Sequence, residues 1–217
     1  MAATTSTLPA TTSTSTTSTT VLVPTTTALS TPATPVATPD SGQPPHIDAA
    51  AYAVYDVGSQ RWLAGLDADT PRPVGSLMKL LTAYVVMQAG DPTHVATVPV
   101  MHLDPAESSI GLYAGQRLQR DVLLRAELIV SANDASRTLA LDNGGTEEGF
   151  VTMMNQAAQT LGMANTVAVN SVGLDAEGAH SSPRGMVAIA TILMEDPTFR
   201  ATVARTDARM NGQHFAA

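Results

Sequence analysis

The chain has 217 residues, a formal charge of −8, a pI of about 4.9 and no cysteine. An acidic chain lacks the basic face that a phosphate backbone requires, so nucleic acid is excluded as a partner. Disulfides, thiolate catalysis and Cys-based metal sites are excluded with the cysteine, and no apolar run reaches the roughly 18–20 residues that span a bilayer.

Residues 1–46 hold 16 Thr, 6 Ser and 7 Pro, with Asp40 as their only Asp, Glu, Lys or Arg. Such a segment buries too little apolar surface to offset its ordering entropy. It reads as a disordered stalk or linker. Stalks hold a domain away from a membrane or wall, yet Met1-Ala2-Ala3-Thr4-Thr5 carries no basic n-region and no apolar h-region follows. Either the protein is cytosolic with an unusual tail or a signal or membrane tether lies outside this chain, and the second is the expectation. Residues 47–217 form the second unit, one domain by length.

Within that domain, Ala51–Val57 and Arg61–Leu66 flank the turn residues Gly58-Ser59-Gln60 and predict a β-hairpin. Ser76–Ala89 is almost continuously apolar and stops at Gly90-Asp91-Pro92, the pattern of a buried central helix. Asp121–Val130 and Asp134–Leu141 predict two more helices. Thr146 is a candidate N-cap for a helix through Leu161, closed by Gly162. Val167–Val169 is a candidate short strand. Ser182-Pro183 opens a final helix to Met194 with Pro at its first position. A hairpin followed by helices points to an α+β fold.

Lys79 is the only lysine; every other basic residue is Arg. It lies inside an apolar helix, where an ammonium is costly unless paired. Unlike Arg, Lys can shed its proton when desolvated. Ser76 lies three residues earlier on the same face, at the helix start. The pair reads either as a nucleophile with its base or as a serine beside a lysine that snorkels from a helix end. Lowering a lysine pKa from about 10.4 to about 7 demands roughly 4.6 kcal/mol, within documented burial effects. Ser131-Ala132-Asn133 sits between two helices, and reads either as a helix cap or as a hydroxyl and an amide aimed into one cleft. Glu127, on the preceding helix, is read as part of a solvated face. His102-Leu103-Asp104 lacks a third ligand nearby and is read as surface loop, so no metal is expected.

Ser76-Leu77-Met78-Lys79 and Ser131-Ala132-Asn133 match the Ser-x-x-Lys and Ser-x-Asn motifs of the penicillin-binding and serine β-lactamase superfamily. Their surroundings resemble the D-alanyl-D-alanine carboxypeptidase family, peptidase S11, more closely. The matching strings run from Gly75 through Tyr84, then Ser108-Ser109-Ile110-Gly111-Leu112, then Ser131 through Ala135. Phe150-Val151 with Met154-Asn155, Leu161-Gly162-Met163 and Gly173-Leu174 continue the match. The resemblance implies a penicillin-binding, β-lactamase-like α+β fold with a helical cluster on an antiparallel sheet. It implies an enzyme that removes the terminal D-alanine of a peptidoglycan pentapeptide through an acyl-enzyme, without a cofactor, and that β-lactam antibiotics inhibit. It implies a place in the cell envelope, outside the cytoplasm. By position Ser76 is the nucleophile, Lys79 its base, Ser131 a proton relay and Asn133 a substrate-binding residue. The resemblance also implies an oxyanion hole made by the Ser76 N–H and an N–H from a sheet strand.

The family's third motif, Lys-Thr-Gly on an edge strand, is absent, because Lys79 is the only lysine. Losing an oxyanion donor costs about 10²–10³ in rate. The expectation is an incomplete domain, truncated at its C-terminal end and lacking the last strands. Two alternatives stand beside the carboxypeptidase: a serine β-lactamase, which Ala132 disfavours because class A enzymes carry Asp there, and a non-catalytic wall-associated domain.

Overall fold

The computed structural model describes residues 47–210 and 213–216. The stalk expected over residues 1–46 lies outside them. The domain begins with an antiparallel hairpin, β1 (Tyr52–Asp56) and β2 (Arg61–Leu66), as its alternating residues and central turn predict. A register shift between Val54 and Tyr55 brings Tyr55 opposite Trp62, with ring centroids 4.8 Å apart. Arg184 stacks on the Trp62 ring at 4.5 Å and pairs with Asp69 at 2.6 Å, which ties the hairpin to the start of a late helix.

A 3₁₀ turn over Gly75–Met78 leads into α1 (Lys79–Gln88). Leu81, Ala83 and Val86 of α1 are fully buried. The reason is its position: α1 packs against α2 (Arg120–Val130), α3 (Asn133–Gly144), α4 (Glu147–Thr160) and α5 (Pro183–Leu193). A helix enclosed on all sides must be apolar on all sides. The deepest layer is Leu81, Leu123, Leu139, Phe150, Met154 and Ile189, at least one from each of these five helices.

The caps follow the sequence signals. The Thr146 hydroxyl accepts from Gly149 N–H at 3.0 Å, and the Ser182 hydroxyl from Gly185 N–H at 3.2 Å with Pro183 next in line. A further helix, α6 (Pro197–Val203), uses the same grammar: Asp196 accepts from the N–H groups of Thr198 and Phe199 at 2.7 and 2.9 Å. Sequence reading passed over it because it is only seven residues long.

Two more antiparallel pairs complete the fold: β3 (Val95–Thr97) with β4 (Arg117–Gln119), and β5 (Asp207–Met210) with β6 (Gln213–Ala216), the latter beside α2. The α+β class therefore holds, its strands forming three separate two-stranded antiparallel sheets among the described residues.

The strand expected at Val167–Val169 does not form. Val167 makes one isolated bridge to His180. Its neighbour Ala168 bonds instead to a side chain: Ala168 N–H donates to Asn155 Oδ1 at 2.9 Å and Asn155 Nδ2 donates back to Ala168 C=O at 2.9 Å. The amide of α4 satisfies the backbone groups that a ladder would have used.

Candidate active site

Ser76 lies in the 3₁₀ turn, exposed, one residue after Gly75, while Lys79 begins α1 and is 3% exposed. The turn sets the two on one face, and Lys79 Nζ donates to Ser76 Oγ at 3.0 Å. A second bond holds the amine from the other side: Nζ donates to Val172 C=O at 2.9 Å. Burial lowers the ammonium's pKa to about 8, the Glu127 and Glu107 carboxylates opposing this and Arg137 assisting it. Desolvation dominates, as expected for an amine inside a helix cluster.

The Val172 carbonyl is held in place by its own loop. Asn170 Oδ1 accepts from the N–H groups of Val172, Gly173 and Leu174 at 3.2, 2.7 and 3.1 Å. The preceding Ser171 carbonyl accepts from Thr82 Oγ1 of α1 at 2.7 Å, and Ser171 N–H donates to Glu147 of α4 at 2.7 Å. Residues 170–174 are thus fastened to α1 and α4 and present one carbonyl to Lys79. Spacing in the sequence carried no signal for Asn170 or Val172, because the bond they serve spans 93 residues.

Ser131 closes α2 in a left-handed conformation (φ 57°), and Asn133 opens α3 two residues later. A non-glycine residue in that region is uncommon and marks a forced turn. It delivers the loop that the sequence places between two helices. No hydrogen bond joins Ser131 to Lys79 among the described residues. Asn133 Nδ2 donates to Glu107 Oε2 at 2.6 Å, and Asn133 N–H to Ser108 C=O at 2.8 Å. Glu107 also pairs with Arg137 of α3 at 2.9 Å. Burial raises the Glu107 pKa, but Asn133, the Asp104 N–H and Arg137 outweigh it and hold the carboxyl below its ordinary range. One Nδ2 hydrogen is committed to Glu107, which fixes the side chain's orientation and leaves the second hydrogen and the carbonyl oxygen for other partners. Glu107 was not singled out from the sequence.

Asp134, beside Asn133, is fully buried and receives N–H bonds from Ile110 at 3.1 Å, Leu112 at 2.9 Å and Ala135 at 3.0 Å. One carboxylate thereby clamps the loop carrying Ser108 and Ser109 onto the first turn of α3. Asp134→Ala strands three backbone donors, each costing about 1–3 kcal/mol when buried and unpaired. The expected loss is roughly 3–5 kcal/mol, read as a lower urea midpoint with an unchanged slope.

Glu127 contradicts its reading as a solvated residue. It is 1% exposed, because α2 turns that face toward α1 and α3. His102 and Asp104 gather no third ligand, and no cluster of three metal-binding side chains occurs among the described residues. No helix among them is long and apolar enough to cross a membrane.

The family model described as D-alanyl-D-alanine carboxypeptidase, peptidase S11, matches residues 38–214. The chain belongs to that family. It is 34% identical over 166 residues to the carboxypeptidase DacA of Escherichia coli K12, covering 70% of this chain and 40% of that protein. It superposes on penicillin binding protein 6B of Escherichia coli with a TM-score of 0.75 at 29% identity, covering 82% of this chain and 60% of the other. The D-alanyl-D-alanine carboxypeptidase of Mycobacterium tuberculosis H37Rv gives a TM-score of 0.73 at 30% identity, covering 81% and 69%. The family resemblance carried by the Ser-x-x-Lys and Ser-x-Asn strings is therefore membership, and the fold is that of penicillin-binding proteins. The chain spans about 40% of the length of the DacA carboxypeptidase it matches.

Proposed function

We propose that this chain carries the nucleophilic half of a serine D-Ala-D-Ala carboxypeptidase site, acting on peptidoglycan stem peptides in the cell envelope outside the cytoplasm. The observation that carries the reading is the 3.0 Å contact between the buried Lys79 amine and the exposed Ser76 hydroxyl. The relatives' names supply the substrate class; the contact supplies the chemistry.

As free amine, Lys79 takes the Ser76 proton while Oγ attacks the carbonyl of the penultimate D-alanine. The C–N bond to the terminal D-alanine breaks, and Ser131 relays the proton to the departing amine. Asn133 accepts from a substrate N–H, its orientation fixed by Glu107. Water then releases the acyl group, with Lys79 again as base. A β-lactam presents the same kind of carbonyl, and ring opening leaves it attached to Ser76. None of these steps calls for a metal or cofactor.

Intact-mass measurement after incubation with a labelled penicillin tests the reading. The expected result is one adduct of the full penicillin mass on the wild type and none on Ser76→Ala. Fast release with continuing penicillin hydrolysis would indicate a β-lactamase instead. An unmodified wild type with a folded circular dichroism spectrum would indicate a wall-associated domain without turnover.

A further inference from the structure

Glu127 is almost fully buried, and neither carboxyl oxygen has a hydrogen-bond partner. The Ser136 hydroxyl of α3 lies near enough to ease its ionisation, but donates to the Ala132 carbonyl at 3.1 Å. Asp134, equally buried, shows the ordinary arrangement, with backbone N–H groups on both oxygens. A buried carboxyl without such partners destabilises the fold.

Its surroundings point to one other group. Helix α2, which carries Glu127, packs against α3, α1, α6, β4 and the β5–β6 pair, and Arg200 of α6 is bonded to the Met194 and Glu195 carbonyls. From α1, Lys79 is the one charged side chain that acts on Glu127. The other charges of α2 are engaged elsewhere: Arg120 with Asp142, and Arg125 with Asp121. Lys79 in turn feels Glu127 most strongly among charged groups, then Arg137 of α3, then Glu107 of the 104–110 loop. Arg137 and Glu107 are bonded to each other, which ties down their charges. Glu127 has no such partner. Desolvation raises its pKa to about 8, the range in which Lys79 itself titrates.

We propose that Glu127 is a positioning residue for the Ser76–Lys79 pair: a buried carboxyl that supplies the counter-charge for Lys79 and so governs how much free amine faces Ser76. The inference rests on the reading of Lys79 as the base. When Glu127 is ionised, the ammonium is favoured. When it is protonated, that hold is released and the free amine gains. The two groups therefore titrate as a coupled pair, and the titration of Lys79 is spread over a wider pH range than a lone amine's.

Lys79 is the only lysine in the chain, so protein grown with lysine ¹³C-labelled at Cε shows a single lysine Cε resonance, and its shift reports the protonation of Lys79 without any turnover. The full chain, with a lysine-free tag, is titrated. Wild type should give a stretched curve with a Hill slope below one. Glu127→Gln should give a slope of one and a midpoint moved to lower pH, raising the free amine at neutral pH about threefold or more. An unchanged midpoint and slope in a folded variant would overturn the proposal. Should the Gln variant fail to fold, Glu127→Met carries the same expectation. If neither folds, a wild-type curve of unit slope overturns it and a stretched one supports it. Penicillin acylation against pH is measured alongside. A moved resonance with no acylation of the wild type would defeat the carboxypeptidase reading and leave the coupling standing. Normal acylation with an unmoved resonance would defeat the coupling alone. A merely structural Glu127 would alter stability without moving either midpoint.

Discussion

Lys79→Met should slow acylation of Ser76 by a labelled penicillin about 10²–10⁴-fold, the usual contribution of a positioned general base. Met nearly matches Lys in length and fills irregular space readily, so Leu81, Val86 and the rest of the α1 interface keep their packing. The substitution removes an amine that is 3% exposed. Removing one member of a buried charge pair leaves the other uncompensated, so the variant, which deprives Glu127 and the Val172 carbonyl of Lys79, should melt lower than the wild type, by up to about 3–5 kcal/mol in stability. Acylation is compared at a temperature where circular dichroism shows both proteins folded, which separates loss of base from loss of fold. Lys79→Arg should be as inactive, because guanidinium does not give up its proton in this range.

In the proposed role the Lys79 amine is a base only when free, and burial brings its pKa down to about 8. Acylation should rise gradually through about pH 8 and level off well above it, the amine being mostly charged at pH 7. Stability follows the same group. The folded chain holds the Lys79 proton less tightly than the unfolded chain, so between about pH 8 and the ordinary lysine value of 10.5 the unfolded state binds more protons and stability climbs with pH. Lys79→Met lacks that climb, and urea midpoints at pH 8 and pH 10 measure the difference. Acylation of Lys79→Met within threefold of wild type would end the assignment of Lys79 as base.

Much of this was legible in the sequence because it is local. Three-residue spacing sets Ser76 over Lys79, and the Thr146 and Ser182-Pro183 caps announce α4 and α5 with chemistry that needs no partner from elsewhere. Asp196-Pro197 carries the same announcement for α6, and brevity alone hid it. Glu127 was misread for a reason that a helical wheel exposes. It stands four residues after the buried Leu123 and next to the buried Ala126, on the face that α1 covers. A charge among apolar neighbours was assigned to water when its spacing assigned it to the interior. The remaining parts of the site are long-range: Val172 to Lys79, Glu107 to Asn133, Asp134 to the 110–112 backbone. None follows from periodicity, since each depends on which loop the packed helices bring alongside.

Gly173→Ala should be the most damaging single methyl in the molecule, and its effect should fall on stability and acylation together. Gly173 has φ +77°, where a side chain is strained, and an added Cβ would stand 2.0 Å from the Gly75 carbonyl oxygen and 2.9 Å from Met78 Cβ. The first of these is backbone, so relief requires one of two chain segments to move. Gly75 precedes Ser76, and Val172, just before Gly173, supplies the carbonyl that holds Lys79. Either movement pulls Ser76 and Lys79 apart. Strain of about 1–3 kcal/mol and overpacking of about 1–3 kcal/mol sum to roughly 2–6 kcal/mol, a fall of roughly 5–20 °C in Tm for a domain of this size. A displacement near 1 Å at the reacting atoms costs about 10²-fold in rate, so acylation should drop by at least that at a temperature where the variant is still folded. Gly162→Ala is the matched control: φ is +69°, but nothing lies within 4 Å of the added Cβ. That variant should lose only the conformational strain, about 1–2 kcal/mol, and acylate at the wild-type rate. If Gly173→Ala behaved like Gly162→Ala, the packing of the 170–174 loop against Gly75 would have no part in aligning Ser76 with Lys79.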